Sequence, residues 1–327
     1  MARHPHPLPS SLGGAFSVSE ARSAGVSSSR LRAKDLASPF HGVRVRAESD
    51  APHDASATPL SPWEESRQEE VRRATAFAAV MGSGTFFAGR TAAVLQGAAV
   101  DPGPELVVAV FAPGRAPRHR GVRGIHVRPG LARVGAFDGM RVTTPASTWA
   151  MLGAELSVRE LVALGDSMVR VPRDRKGRLE PHRRLATVEQ LERAVLAGRR
   201  VGIARLRDAL HHVRVGSASP LETDFRLDAV TAGLPEPELD VEIRDRRGRL
   251  LGISEVVYRS ARVVVEIEGD HHRVDRTQWN RDIDKYAAYA AEGWEVVRLT
   301  AAHIRGHRPR AVGLVRAALL RRGWDPA

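Results

Sequence analysis

The stretch Val263-Val-Val-Glu-Ile-Glu-Gly-Asp-His-His-Arg273 places two glutamates, two histidines and an arginine at the end of an apolar run. A run rich in β-branched residues and closed by Gly269 reads as a buried strand with its polar chemistry at the exit. Side chains alternate across a strand, so Glu266 and Glu268 are expected on one side. Two carboxylates on one face repel each other unless a cation or a proton lies between them. The pattern points to a divalent-metal site. The structural alternative is a surface charge cluster in which Glu266, Glu268 and His272 pair with Arg262 or Arg273.

Such a strand needs neighbours, and the flanking sequence supplies them. After Gly216-Ser-Ala-Ser-Pro220, the residues Leu221, Phe225 and Ala229 recur at helical spacing until Gly233-Leu-Pro-Glu-Pro237. Leu239, Val241 and Ile243 alternate as a strand, Asp245 to Gly248 forms a turn, and Leu251 to Tyr258 returns. The strand Arg262 to Ile267 follows. Trp279, Ile283, Tyr286 and Ala290 mark an amphipathic helix stopped by Gly293, and Trp294 to Leu299 is the last strand. The order is helix, three strands, helix, strand, helix: an α/β core with carboxylates on its central strands.

Phosphodiester cleavage requires a hard cation to neutralise charge on phosphate and activate water, and carboxylates suit such ions. Glu255 ends one hairpin strand and Glu266 lies near the end of the next, so pairing brings both within reach of one Mg²⁺ or Mn²⁺ ion. Glu222, on the first helix, completes or orients the site. His271 or His272 is a proton donor or acceptor near neutral pH, and Arg273 is placed to meet a phosphate oxygen.

Several of these segments carry a resemblance. Ser219-Pro-Leu-Glu-Thr223, Gly233-Leu-Pro-Glu-Pro237, Leu251-Gly-Ile-Ser-Glu255, Val265-Glu-Ile-Glu-Gly-Asp-His-His272, Gln278-Trp279, Asp282 and Gly293-Trp-Glu-Val-Val-Arg298 resemble the endonuclease-like domain related to very-short-patch-repair enzymes. That domain belongs to the PD-(D/E)XK nuclease superfamily, and the match covers roughly residues 216 to 305. The resemblance implies a restriction-endonuclease-like fold, a DNA substrate and a catalytic role for Glu268, where other branches of the superfamily carry lysine. Glu255 departs from the pattern, since aspartate usually stands at its position. The extra methylene shifts the carboxylate by about one bond length, and catalysis is sensitive on that scale.

At the front, Ser17-Val-Ser-Glu20 is a capping box for a short helix from Val18 to Ala24, ended by Gly25. Ser27 or Ser28 is expected to cap a second helix through Leu36 carrying Arg30, Arg32 and Lys34, and Pro39 to Arg46 alternates as a strand with Arg44 and Arg46. Helix, turn, basic helix and basic ribbon is the order of a winged helix-turn-helix, with the second helix in a major groove. The alternative is a helical hairpin with a solvated basic face. Phe16 to Val26, Arg30-Leu-Arg32, Asp35-Leu36 and Pro39 to Arg44 are similar to the N-terminal part of actinobacterial AbiEi-type antitoxin proteins, with Thr144-Pro-Ala-Ser-Thr-Trp149 as a further landmark. That resemblance implies DNA binding and a type IV toxin-antitoxin context. Met151 stands where an aspartate is expected.

Composition narrows the partners. Fifty Lys+Arg against thirty-eight Asp+Glu gives +12, which favours a polyanion, nucleic acid before membrane. No cysteine is present, which excludes disulfides and thiolate metal sites. The first residues carry no apolar signal core and no apolar stretch approaches the ~20 residues of a spanning helix, so a cytoplasmic location is expected. The expected partition is a disordered segment 1–11, a winged helix 12–48, a linker 49–66, an α/β middle domain 67–215 and a nuclease-like domain 216–327. Within the middle domain, Asp166 and His126 read as lone surface or hydrogen-bonded groups, and Pro172 to Arg184 as a basic loop. Two functional readings follow: a metal-dependent endonuclease targeted to DNA by its winged helix, or a catalytically degenerate DNA-binding regulator of antitoxin type. RNA stays open as substrate, although 5% aromatic content argues against extensive base stacking.

Overall fold

The computed structural model of the chain describes residues 6–47, 60–268 and 276–326. By packing, the chain divides into two units: one from the chain up to Leu152 with Leu196–Arg199, the other from Gly153–Val195 with the chain from Arg200 onward. Both mix helices and sheet, so the fold class is α/β. Among the described residues no helix is long and apolar enough to cross a membrane.

The first unit begins with β1 (Ala15–Ser17) and α1 (Val18–Ser23), where the Ser17 hydroxyl accepts the Glu20 amide. The basic helix expected through Leu36 is absent. In its place a single 3-10 turn, Arg30–Arg32, leads to β2 (Leu36–Ala37), and β3 (Val43–Arg46) completes an antiparallel sheet of order β1-β3-β2. The reason is local chemistry. The Ser27 hydroxyl accepts the Arg30 amide, stabilising a turn, while Asp35 chelates the Arg30 guanidinium and Leu36 pairs with Arg46. Serines that bind nearby backbone favour such turns over helix interiors.

The helix α2 (Pro62–Ala78) starts inside the stretch expected to be a linker, because Ser61 and Glu64 form a capping box. Then come β4 (Thr85–Phe87), α3 (Gly89–Leu95), β5 (Leu106–Phe111), β6 (Val122–Val127), β7 (Val134–Phe137), β8 (Met140–Thr143) and α4 (Pro145–Met151). The strands form one sheet of order β6-β5-β4-β8-β7. Leu106 and Val108 of β5 pack with Phe77 and Phe87, while Val107 and Ala109 pack with Phe86 and Val127, so both faces of this strand are covered. Phe40 and Val43 join the Phe77 cluster, so the N-terminal sheet shares a core with this domain.

The second unit opens with α5 (Val158–Val169), α6 (Val188–Leu196) and α7 (Ile203–His212), helices that the sequence groups with the middle region. It continues with α8 (Pro220–Thr231), β9 (Glu238–Arg244), β10 (Leu250–Tyr258), β11 (Val263–Glu268), α9 (Arg276–Ala291), β12 (Glu295–Thr300), α10 (Ala301–Arg305) and α11 (Ala311–Arg321). The sheet order is β12-β11-β10-β9, with β11 and β12 parallel and the remaining pairs antiparallel. Val263, Val265 and Ile267 pack with Phe225, Ala229, Val315 and Leu319 on one face, and Val264 packs with Tyr289 on the other.

Asp166 of α5 is the hydrogen-bonded alternative of its two expected roles. It is 1% exposed and accepts from Arg226 Nη2 (2.9 Å), Thr223 Oγ1 (2.8 Å) and the Arg214 amide (2.7 Å), while Arg226 also donates to the His212 carbonyl. This buried pair ties α5 to α8. Removing one member leaves an uncompensated buried charge, so Arg226→Ala should lower the unfolding free energy by about 3–5 kcal/mol in chemical denaturation. Asp166→Leu combined with Arg226→Met should recover most of that loss; a loss below about 1 kcal/mol in the single variant would show the pair to be dispensable.

Candidate functional site

Pairing between β10 and β11 ends at Val256↔Val265, whereas β11 continues beside β12 as far as Glu268↔Thr300. An open edge results, with Glu255 on one side and Glu266 on the other. The Ile267 amide, which would otherwise bond to β10, donates to Glu255 Oε2 at 2.8 Å. On the other side of β10, Ser254 pairs with Val241 and Val256 with Leu239, so Asp240 lies opposite Glu255. Asp240 has φ of 52°, a left-handed conformation uncommon for a residue with a side chain. There the strand exchanges faces: Val241 packs on the Tyr289 side and Leu239 on the Phe225 side, although they are two residues apart. Arg173 fixes this position through both carboxylate oxygens and the carbonyl of Asp240. The Pro172–Arg184 segment, expected as a basic loop, thus commits Arg173 to an internal acid.

Glu222 reaches the same region from the start of α8. Ser219 caps the helix by accepting the Glu222 amide, and the Glu222 carboxylate turns back to accept the Ala218 amide at 2.7 Å. Glu222 is buried, and burial raises its pKa above the ordinary carboxylate value, with Ala218 and Ser219 opposing. Glu255 is displaced further, to about 8, by burial first and then by the Glu222 carboxylate; Glu266 adds to the rise while the Ile267 amide and Lys285 oppose it. These mutual effects place Glu222, Glu255 and Glu266 in one electrostatic field.

Lys285 is the functional candidate that the sequence reading missed. Its Nζ lies 2.9 Å from Glu266 Oε1 and 5.6 and 5.7 Å from the ring centres of Tyr289 and Tyr286. The inward face of α9 therefore carries Lys285 and Tyr289, not the Ile283 and Ala290 stripe expected from apolar spacing. Ile283 is 47% exposed whereas Tyr289 is fully buried, its hydroxyl meeting Ser254 at 2.9 Å. The sheet at this level is polar, so the helix turns its donors toward it. Gly252 permits the approach: a Cβ there would lie 2.6 Å from the Tyr289 hydroxyl. The available signal was Lys285 and Tyr289 at four-residue spacing on a helix facing a carboxylate strand.

Glu268 pairs with Arg298 of β12, whose guanidinium lies 5.5 Å from the Tyr286 ring centre. The surface-cluster alternative named Arg262, but that side chain donates to the Glu292 carbonyl. His271, His272 and Arg273 lie outside the described residues. Among the described residues no group of three or more His, Asp and Glu side chains is arranged to hold a metal ion.

The cations assigned to DNA in the N-terminal module divide in two. Arg30 binds Asp35 and the His6 carbonyl, Arg44 donates to Leu31 O, Ser38 Oγ and Val43 O, and Arg46 donates to Leu12 O. These three brace the module. Arg32 and Lys34 are exposed, on a turn and not on the expected helix.

No family model and no solved structure matches the chain. The chain is similar to two proteins of Mycobacterium tuberculosis, the uncharacterized protein MT2308 of strain CDC 1551 / Oshkosh and the uncharacterized protein Rv2248 of strain ATCC 25618 / H37Rv. Each is 26% identical over 181 residues, covering 55% of this chain and 62% of the relative. The chain thus spans about three fifths of the length of the curated relatives it matches.

The state of Glu255 has a measurable consequence. Its carboxyl stays protonated in the folded chain up to about pH 8, whereas in the unfolded chain it ionises near 4.5. Between those values the folded state binds more protons, so stability falls as pH rises across that window. Glu255→Gln removes the penalty. Thermal or urea unfolding should show its stability relative to the parent increasing by roughly 2–4 kcal/mol from pH 4.5 to 8.5. A difference independent of pH would show that Glu255 titrates normally.

Proposed function

We propose that the chain is a DNA-directed, divalent-metal-dependent phosphodiesterase of the PD-(D/E)XK type, acting through the open edge between β10 and β11. The observation that carries this reading is the convergence of Glu222, Glu255 and Glu266 there, held at the cost of mutual repulsion and burial. The element order from α8 to α11 and the resemblance of residues 216 to 305 to very-short-patch-repair-like domains support it.

The donor set fits a hard ion in chemical type, since it consists of carboxylate oxygens whose repulsion a divalent cation relieves. Glu255 and Glu266 would hold Mg²⁺ or Mn²⁺, which when bound supplies charge neutralisation at phosphate and activation of water. Glu255 must shed its proton to act as a ligand, so affinity should rise with pH toward 8. Lys285, already beside Glu266, is placed to pair with a phosphate oxygen once Glu266 is otherwise engaged. Glu222 orients the site from α8, and Glu268 with Arg298 borders it.

A second reading has specific support. Lys285 already neutralises Glu266, Glu255 replaces the usual aspartate, and no three-ligand group is found among the described residues. These features suit a DNA-binding regulator of antitoxin type whose nuclease fold has become a scaffold.

Cleavage separates the two. The full chain with Mg²⁺ or Mn²⁺ should nick or linearise supercoiled DNA, and Glu266→Ala should slow this by ~10²-fold or more, the scale of a lost electrostatic group in an active site. Absence of cleavage with either ion, or equal cleavage by Glu266→Ala, removes the enzyme reading. DNA binding that persists without cleavage favours the regulator.

A further inference from the structure

The first unit contains a cationic cleft that neither reading uses, with a volume of about 790 Å³ between the turn Ser38–His41, α2 and the turn Arg118–Gly121. Its floor is an aromatic chain. Phe40 meets Phe77 edge-on at 5.1 Å, and Phe77 meets the His119 ring edge-on at 5.2 Å, so one residue from each of the three segments locks the cleft. The Arg118–Gly121 turn is closed by the Val122 amide donating to the His119 carbonyl, and Gly121 adopts φ of 77°. Arg73 of α2 clamps the turn by donating to the Gly121 and Pro104 carbonyls.

With His119 turned down onto Phe77, its neighbours Arg118 and Arg120 stand exposed, as does His41 across the cleft. No carboxylate pairs with Arg118 or Arg120 among the described residues. The acid on the cleft wall, Glu69, is engaged at 2.9 Å by Arg72. This differs from Arg30, Arg44 and Arg46, whose guanidinium groups are committed within the module. Exposed guanidinium groups on a clamped turn, with no carboxylate paired to them, form a site of positive potential. A small anion would be held by convergent buried donors, which this cleft lacks. A polyanion binds without enclosure, through phosphate contacts that release counterions.

We infer that this cleft, through Arg118, Arg120 and His41, is where the chain grips the phosphate backbone of duplex DNA, in place of the basic helix expected from the sequence. The inference rests on the DNA-directed reading above, and deepens it by locating the contact. Because the contact is to backbone, it positions the duplex without reading its sequence.

The test is binding of a fluorescent duplex of about 30 base pairs by the full chain in EDTA, at several salt concentrations. Two phosphate contacts contribute about 2 to the slope of log affinity against log salt. Arg118→Ala/Arg120→Ala should therefore lose about that much slope and roughly tenfold or more in affinity near 0.1 M salt, equally for unrelated sequences. Arg118→Lys/Arg120→Lys should keep most of both, and circular dichroism should show both variants folded. Unchanged affinity and slope in the alanine variant, while the parent binds, overturns the cleft and leaves the DNA reading standing. A parent that shows no salt-sensitive binding overturns both. Tighter binding of a duplex RNA of the same length overturns DNA as the occupant.

Discussion

The second unit is arranged around one electrostatic problem, the burial of Glu255 beside Glu222 and Glu266. A carboxylate removed from water among like charges keeps its proton unless donors or cations compensate. The open edge supplies one donor, which opposes the rise in the Glu255 pKa without cancelling it. Because β10 and β11 part after Val256 and Val265, the Ile267 amide has no ladder acceptor on that side, and the Glu255 carboxylate takes that role. The amide and the acid each satisfy the other, so the gap in the sheet and the buried acid stabilise one another. The left-handed backbone at Asp240, where β9 exchanges faces, and the missing side chain at Gly252, which admits the donor face of α9, are local adjustments around this place.

Glu222 depends on a different kind of packing. The first turns of α8 bury Glu222, Thr223, Asp224 and Arg226, so on that side the helix docks through polar contacts. Thr223 and Arg226 meet Asp166, and Asp224 receives Arg159 and Arg305, while Phe225 and Ala229 pack on the sheet. Buried polar groups are costly unless each has a partner, which makes this arrangement specific in rotation and register. A rotation of α8 would strand Asp166 and Arg226 together. The position of Glu222 is thus set by groups remote from the open edge.

What could be read from the sequence follows the same division. Strands β9 to β12 and the order of elements were legible because apolar alternation and turn residues are local signals. The second N-terminal helix was misread because Arg30, Arg32 and Lys34 suit a helix, whereas Ser27 and Asp35 divert the backbone into a turn. The stripe on α9 was misread for the reverse reason. Apolar spacing assigns Ile283 inward, but the sheet beneath presents Glu266 and Ser254, and those groups select Lys285 and Tyr289. Glu255 and Glu266 were recognisable as a pair. Lys285 was not, because its partner is 19 residues away in the chain and its meaning depends on the fold.

The same limit applies to charge. A net charge of +12 counts every arginine alike, yet the chain uses its guanidinium groups in two ways. Arg30, Arg44 and Arg173 each satisfy several acceptors within the chain, a task for which the planar, multiply donating guanidinium is suited and an ammonium is not. Their charge is spent on bracing turns and strands. Arg118 and Arg120 brace nothing among the described residues, while Arg73 and the aromatic chain below hold their turn in place. A cation that projects unpaired from a turn whose backbone is held keeps its attraction for an anion, because no internal acceptor competes for it. Functional charge is therefore found less by counting basic residues than by subtracting those whose hydrogen bonds the fold has already used.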